Sequence, residues 1–380
     1  MSAIVSNPVE HDPAESITGL IEKLGPAKRH LCLLVGAGAS MSAGLPNLAA
    51  LGAQVADKLE KPHRSRYERL LVDHNLEDLL SHVRLTRSLL AGSRNRFDGL
   101  NADTAASLDR AITRAIARIV AGAPGGKLSA HERLASWLGR SLHSGPIEVF
   151  TTNYDVLLEQ AFESRGVPYF DGFVGIFEAE FRADLVEQDD AMPDTRLPAG
   201  WIRLWKLHGS VSWVVEGSPG SRRIVRRGQW PVADPDAMLA IYPTTEKYEE
   251  SRRMPFLALS DRLRRSLASP ESTTLVVGYS FGDQHINELI FTAVERYQRS
   301  EVIAVFRGEI PESVAEQAGR FANLSAFGAT EAILRGERGR YISTAVSPGW
   351  DGSRMQIGDF GTLTEVLSRT GSDVATAATT

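Results

Sequence analysis

The chain of 380 residues holds one cysteine, Cys32. That excludes an internal disulfide and every zinc site built from several thiolates. Nine histidines are present, but none falls in H-E-x-x-H or a comparable ligand spacing, so no metal is expected. No apolar run approaches the ~18 residues of a membrane span. Neither sign of charge is in large excess: 42 Lys and Arg stand against 47 Asp and Glu, a net charge of −5. A general polyanion binder is therefore not expected. The basic clusters Arg222, Arg223, Arg226, Arg227 and Arg262, Arg264, Arg265 lack an interleaved aromatic platform and read as solvated faces rather than a nucleic-acid surface. The opening MSAIVSNPVEHDPAES is polar and acidic, unlike a signal peptide, so a cytoplasmic location is expected. A G-x-x-x-x-G-K-[ST] loop is also missing, and any ATPase activity must come from a partner.

What is present is ordinary globular composition, 43% hydrophobic and 23% charged, in a chain long enough for a large core. The most informative stretch is LCLLVGAGASMSAGLPN, residues 31–47. An apolar run at residues 31–35 reads as a buried strand that breaks at Gly36-Ala37-Gly38 and continues into Ser40 and Ser42. Such a turn lets backbone approach a phosphate. The third glycine of G-x-G-x-x-G is missing, because Met41 stands there.

Residues 48–144 then read as almost wholly helical, with a loop at residues 121–127. Leu76, Leu79, Leu80 and Val83 lie at helical spacing, as do Leu108, Ile112, Ile116, Ile119 and Val120 behind a cap at Asp103. Ser129 and Glu132 form a capping-box pattern for a third helix. From Pro146 onward strands and helices alternate: strands near residues 147–150, 201–207, 273–277 and 302–306, and helices at 156–165, 254–267 and 286–299. A further strand near Val211, Trp213 and Val215 pairs with residues 222–227 as a hairpin. The expectation is an α/β fold, a Rossmann-like doubly wound parallel sheet with an inserted helical subdomain. The expected division is a flexible leader at 1–15, the sheet domain at 16–47 and 145–345, the helical insertion at 48–144, and a C-terminal tail at 346–380. That tail is expected to be partly disordered, from about Gly371 onward.

Three more segments fall at strand ends, where such a sheet places its ligands. They are FTTNYD (residues 150–155), KLHGS (206–210) and VVGYSFGDQHIN (276–287). Singly each is unremarkable: a turn asparagine, a lone histidine, a helix entry. Gly278-Tyr279-Ser280-Phe281-Gly282 also matches the G-x-S-x-G nucleophile elbow of serine hydrolases. In that order of motifs the acid and the histidine follow the serine, and here only Asp283 and His285 follow, in the same junction. Those two do not complete a triad drawn from separate strand ends.

Together the four segments resemble the sirtuin superfamily, and within it the bacterial sirtuin-like NADases of antiphage defence. GAGAS…SAGLP is similar to the family's GAG-x-S…AGIP loop, TTNYD to its T-x-N-x-D motif, KLHGS to its catalytic H-G motif, and GYSFGDQHI to the form this branch carries in place of the deacylases' G-T-S. Two departures separate the chain from the deacylases. The four cysteines of their zinc ribbon are absent, and Asn47, Leu48, Ala49 follow Pro46 where they carry an acidic residue and Phe-Arg.

The resemblance implies that NAD+ is a substrate, cleaved by water to nicotinamide and ADP-ribose or, by internal attack, to a cyclic ADP-ribose isomer, with no zinc. It implies His208 as general base and Asn153 as the holder of the ribose hydroxyls or the attacking water. Gly36, Ala37, Gly38 and Ser40 would lie at the diphosphate, Gly278, Tyr279 and Ser280 along the adenosine half, and Asp155 would orient its loop. It further implies a homo-oligomer, with a separately encoded partner such as a HerA-type hexameric ATPase or an Argonaute-related protein. Two alternatives stay open: an NAD- or ADP-ribose-binding module without turnover, and an NAD-dependent deacylase.

Overall fold

The computed structural model describes residues 9–25, 30–121, 129–141, 143, 145–176, 178–188, 197–198, 200–217, 223–228, 238–240 and 255–377. The described strands run, in chain order, β1 (Val9–His11), β2 (His30–Val35), β3 (Ile147–Thr151), β4 (Tyr169–Phe170), β5 (Phe173–Val174), β6 (Ala179–Phe181), β7 (Ile202–Lys206) and β8 (Gly209–Glu216). They continue with β9 (Arg223–Arg226), β10 (Met238–Ala240), β11 (Ser272–Val277), β12 (Glu301–Val305), β13 (Leu324–Phe327), β14 (Glu331–Leu334) and β15 (Glu337–Tyr341). One ten-stranded sheet has the order β1-β15-β14-β13-β12-β11-β2-β3-β7-β4, and a smaller antiparallel sheet the order β10-β8-β9-β6-β5. From β13 through β12, β11, β2, β3 and β7 to β4 every pairing is parallel.

These strands are buried almost throughout because both faces are covered. Leu31, Leu33, Val35, Val149 and Leu204 lie in a core with α1 (Pro13–Leu24), α7 (Ser129–Arg140), α8 (Leu157–Ser164) and α13 (Phe360–Ala377). Cys32, Leu34, Phe150 and Trp205 lie in the opposite one with α9 (Ala183–Val186), α10 (Phe256–Ala268), α11 (Gln284–Arg296), α12 (Glu312–Arg320) and the smaller sheet. That is the doubly wound arrangement expected from the sequence. Chain order runs from β2 outward through β3 and β7 on one side, and through β11, β12 and β13 on the other. The switch point therefore lies between β2 and β11, where open α/β sheets place their ligands.

Between β2 and β3 come α2 (Ala37–Met41), α3 (Leu48–Lys58), α4 (His63–Leu71), α5 (Leu76–Leu89), α6 (Ala102–Ala121) and α7. Helices α3 to α6 share a core of their own, with Val55, Tyr67, Leu79, Val83, Leu108 and Ile112 buried in it. The expected 121–127 loop falls largely outside the described residues, as does Arg222.

The structure differs from expectation at four places. The leader expected over residues 1–15 contains order: Val9–His11 joins the sheet edge as β1, and α1 begins at Pro13 because the Asp12 carboxylate caps Glu15 N–H. The cap of α6 is Asn101, whose side chain accepts from Thr104 N–H, rather than Asp103. Glu132 does not close a capping box; its carboxylate takes Ser164 and Arg165 instead. Of the segment expected to be disordered from Gly371, the described residues 371–377 are part of α13, which packs Phe360, Leu363, Val366 and Leu367 into the core.

Candidate active site

The glycine loop and the third motif are one packed unit. Gly36 N–H donates to Val277 O at 2.9 Å, and Gly38 N–H to Gly278 O at 2.8 Å. A methyl group at Gly36 would lie 2.5 Å from Gly278 O, and one at Gly38 would lie 2.8 Å from Gly278 Cα. Gly278 itself has φ +65°. The glycines thus let two turns touch at the switch point. The N–H groups of Gly36 and Gly38 are thereby bonded to the facing turn. Ala37 is the exposed residue of the first turn.

The second motif is bonded to that unit. Asn153 Nδ2 donates to Gly36 O at 3.0 Å and to Ser40 Oγ at 2.8 Å, and Ser40 Oγ donates to Asp155 Oδ2 at 2.6 Å. Asp155 Oδ1 accepts from Leu157 N–H at the start of α8, so this carboxylate orients the loop. Asn153 Oδ1 accepts no bond from the described residues. Asn153, Asp155 and Ser40 are all buried.

The motif at the end of β7 is tied in by backbone. Leu207 N–H donates to Thr151 O and Val211 N–H to Tyr154 O. Lys206, fully buried, donates to Asp155 O and pairs with Glu159 at 3.1 Å. Burial pushes the Glu159 carboxyl up, against the pull of Lys206. His208 stands one strand over from Asn153, its ring 6.3 Å from that of Tyr154, which also packs on the helical block. His208 Nε2 lies 2.9 Å from Asp283 Oδ2.

Sequence reasoning missed Asp283, having weighed it only as a partner for Ser280. Ser280 is exposed and keeps ordinary φ, whereas Gly278 and Phe281 have positive φ. The strained conformation of a nucleophile elbow therefore falls on its neighbours. Tyr279 is buried, its hydroxyl donating to Asp283 O and Asn287 Oδ1, so this side chain braces the loop.

All four motifs meet at one end of the sheet, at the ends of the neighbouring strands β11, β2, β3 and β7. Residues 147–325 match the model of the SIR2-like domain. The matched segment starts at β3 and ends in β13, and so contains the TTNYD, KLHGS and GYSFGDQHIN motifs, with the glycine loop upstream. No curated protein matches the chain. Among solved structures, a Sir2 homologue in complex with NAD aligns over 97% of this chain and 97% of its own, at 14% identity and a TM-score of 0.47. A Sir2 with p53 peptide and NAD+ covers 81% of this chain and 91% of its own, at 16% identity and a TM-score of 0.42. Sir2Tm bound to a propionylated peptide covers 82% and 90%, at 15% identity and a TM-score of 0.39. Among the described residues, no cluster of three or more His, Cys, Asp or Glu side chains could hold a metal ion, and no helix is long and apolar enough to cross a membrane.

Behind Asp155, His131 of α7 is buried against Phe360, with ring centroids 4.9 Å apart. Burial pushes its imidazole down to about 4, against the pull of Asp155. An unfolded imidazole protonates near 6.5, so below that pH the unfolded state binds the extra proton. Stability is then complete above pH 6.5, falls towards pH 4, and levels off below. Comparing denaturation midpoints of wild type and His131→Leu from pH 7 to 4 isolates this contribution, expected to be about 3 kcal/mol. Parallel curves would show that His131 protonates normally in the fold.

Proposed function

We propose that the chain is an NAD+ glycohydrolase, cleaving NAD+ to nicotinamide and ADP-ribose. One arrangement carries this reading. Asn153 and His208 rise from the ends of adjacent parallel strands beside the glycine turns, each with one polar atom, Oδ1 and Nδ1, unbonded to the described residues. Holding a dinucleotide needs neither. An amide oxygen can accept from a ribose hydroxyl, and an unprotonated imidazole nitrogen can take a proton from water at neutral pH.

Water oxygen bonds to the anomeric carbon of the ribose as the bond to the nicotinamide nitrogen breaks, its electron pair leaving with neutral nicotinamide. His208 accepts the proton of the water and releases it to solvent. Asn153 orients the hydroxyls, and Asp155 acts on Asn153 through Ser40. Following the family resemblance, Gly36, Ala37, Gly38 and Ser40 take the diphosphate side. Gly278, Ser280 and the backbone of Tyr279 take the adenosine side. Catalysis lies in residues 16–47 and 145–345, with 48–144 an inserted subdomain.

Purified protein is expected to release nicotinamide from NAD+, and Asn153→Ala and His208→Ala to lower the rate at least about 100-fold with unchanged melting. Undiminished turnover in both variants overturns the assignment. NAD+ binding without release under any activating condition favours a binding module, and release strictly dependent on an acyl-lysine peptide favours a deacylase. An unrestrained NADase drains its own cell, so the reading includes restraint: a homo-oligomer controlled by a separate partner, a HerA-type ATPase or an Argonaute-related protein, depleting NAD+ in antiphage defence. The same assay with and without such partners, beside a mass measurement in solution, tests this. A monomer fully active alone contradicts it.

A further inference from the structure

We propose that Asp283 is the positioning residue of His208, fixing which ring nitrogen carries the proton. This deepens the glycohydrolase reading and rests on it. Asp283 sits at the start of α11, where Oδ1 accepts from His285 N–H at 3.0 Å and from Ile286 N–H at 3.4 Å. Its carbonyl accepts from the Tyr279 hydroxyl at 3.1 Å, and Asn287 Nδ2 anchors the same loop on Phe281 O at 2.7 Å. Backbone and side chain of Asp283 are therefore both set by the loop and the helix start. The helix dipole favours an anion at that place. The second oxygen, Oδ2, lies 2.9 Å from His208 Nε2, and the side chains of Asp283 and His208 are largely shielded, 7% and 15% exposed.

The chemistry follows from what a carboxylate can do. Ionised, it only accepts hydrogen bonds, so the nitrogen 2.9 Å away must carry a hydrogen. In a neutral ring the proton is thereby held on Nε2, and the lone pair falls on Nδ1. Nδ1 makes no bond with the described residues and is the nitrogen free to take a proton. When it does, the ring becomes a cation beside the Asp283 carboxylate, which stabilises it without moving. Asp283 never receives the proton. The contact also crosses the sheet: β7 and β11 are separated by β2 and β3, so the pair closes over the ends of the two strands that bear the glycine loop and Asn153.

Asp283→Asn separates this role from helix capping. The asparagine Oδ1 keeps the cap on His285 and Ile286, while its Nδ2 donates where Oδ2 accepted. His208 must then accept at Nε2 and carry its proton on Nδ1, which removes the base. The expected result is a fall in kcat of at least about 100-fold, with KM and melting temperature little changed. Nitrogen-15 spectra of the histidine rings, with the His208 signals identified by their loss in His208→Gln, are expected to show the Nε2–H tautomer in wild type and the Nδ1–H tautomer in the variant. Asp283→Ser, which caps without reaching Nε2, is expected to lose kcat as well. Retained kcat with an unchanged tautomer in Asp283→Asn overturns the proposal and leaves Asp283 a cap alone. If wild-type protein releases no nicotinamide, the glycohydrolase reading fails. The tautomer in wild type and variant then still decides whether Asp283 sets the ring.

Discussion

Gly36→Ala is expected to abolish nicotinamide release and to destabilise the chain together. The added methyl would lie 2.5 Å from Gly278 O and 2.6 Å from Tyr279 Cα. Both are backbone atoms and cannot rotate aside, so one of the two turns must move. Overpacking of this kind costs typically about 1–3 kcal/mol. The larger consequence falls on the site, because Gly36 O receives Asn153 Nδ2, and Ser40, the other acceptor of that amide, follows on the same turn. Displacing the turn displaces the asparagine, and misplacement near 1 Å can cost on the order of 100-fold in rate. Gly19→Ala is the control. It lies in α1 with nothing within 4 Å of the added carbon, and alanine is the better helix former. Chemical denaturation and nicotinamide release measured on both variants check the prediction. A Gly36→Ala protein with wild-type midpoint and turnover would show that the two turns separate at no cost.

The part of this architecture legible in the sequence is the part where local chemistry and global position agree. Strands β2, β3, β7, β11 and β12 carry apolar residues on both faces and end in turn residues, because a parallel sheet covered on both faces demands it. The helices of the insertion show a 3.6-residue stripe because each buries one face. The elements missed are short or polar. The β14–β15 ribbon carries Arg338 on Glu331 and faces solvent in part, so its pattern carries no apolar alternation. Helix α13 continues into GSDVATA, whose composition reads as disorder; its apolar anchors lie one turn and more earlier. The four motifs of the site were visible as strand ends. Asp283 stood out only as the acid after Ser280, not as the partner of His208, because sequence spacing does not state that β7 and β11 lie either side of β2 and β3. The bonding of Gly36 and Gly38 N–H to the facing turn was hidden for the same reason.

Glu148→Gln is expected to cost about 3–5 kcal/mol, the scale for removing one partner of a buried ion pair. Glu148 has no exposed surface. Its oxygens accept from Arg203 at 3.1 Å, Trp205 Nε1 at 3.2 Å, Ser266 at 2.5 Å, and Arg262 through both Nε and Nη2. Burial alone would raise its carboxyl; the charge and hydrogen bonds of Arg262, then His30 and Arg203, outweigh burial and hold it below the usual range. A group depressed in this way contributes stability above the pKa of the unfolded chain and loses it as pH falls through the folded value. Glutamine preserves the shape and removes the charge that Arg203 and Arg262 face in this buried cluster. The network also has a place in function. Glu148 and Arg203 are register partners on β3 and β7, the strands whose ends carry Asn153 and His208, and Arg262 fastens both to α10. Weakening it is expected to loosen the spacing of those two side chains before the fold is lost, lowering turnover at temperatures where the variant is still folded. Urea unfolding of Glu148→Gln, Arg262→Gln and the double variant measures the coupling, expected to exceed about 1 kcal/mol. A single variant within about 1 kcal/mol of wild type, or additive losses, would mean that water reaches the cluster and screens it.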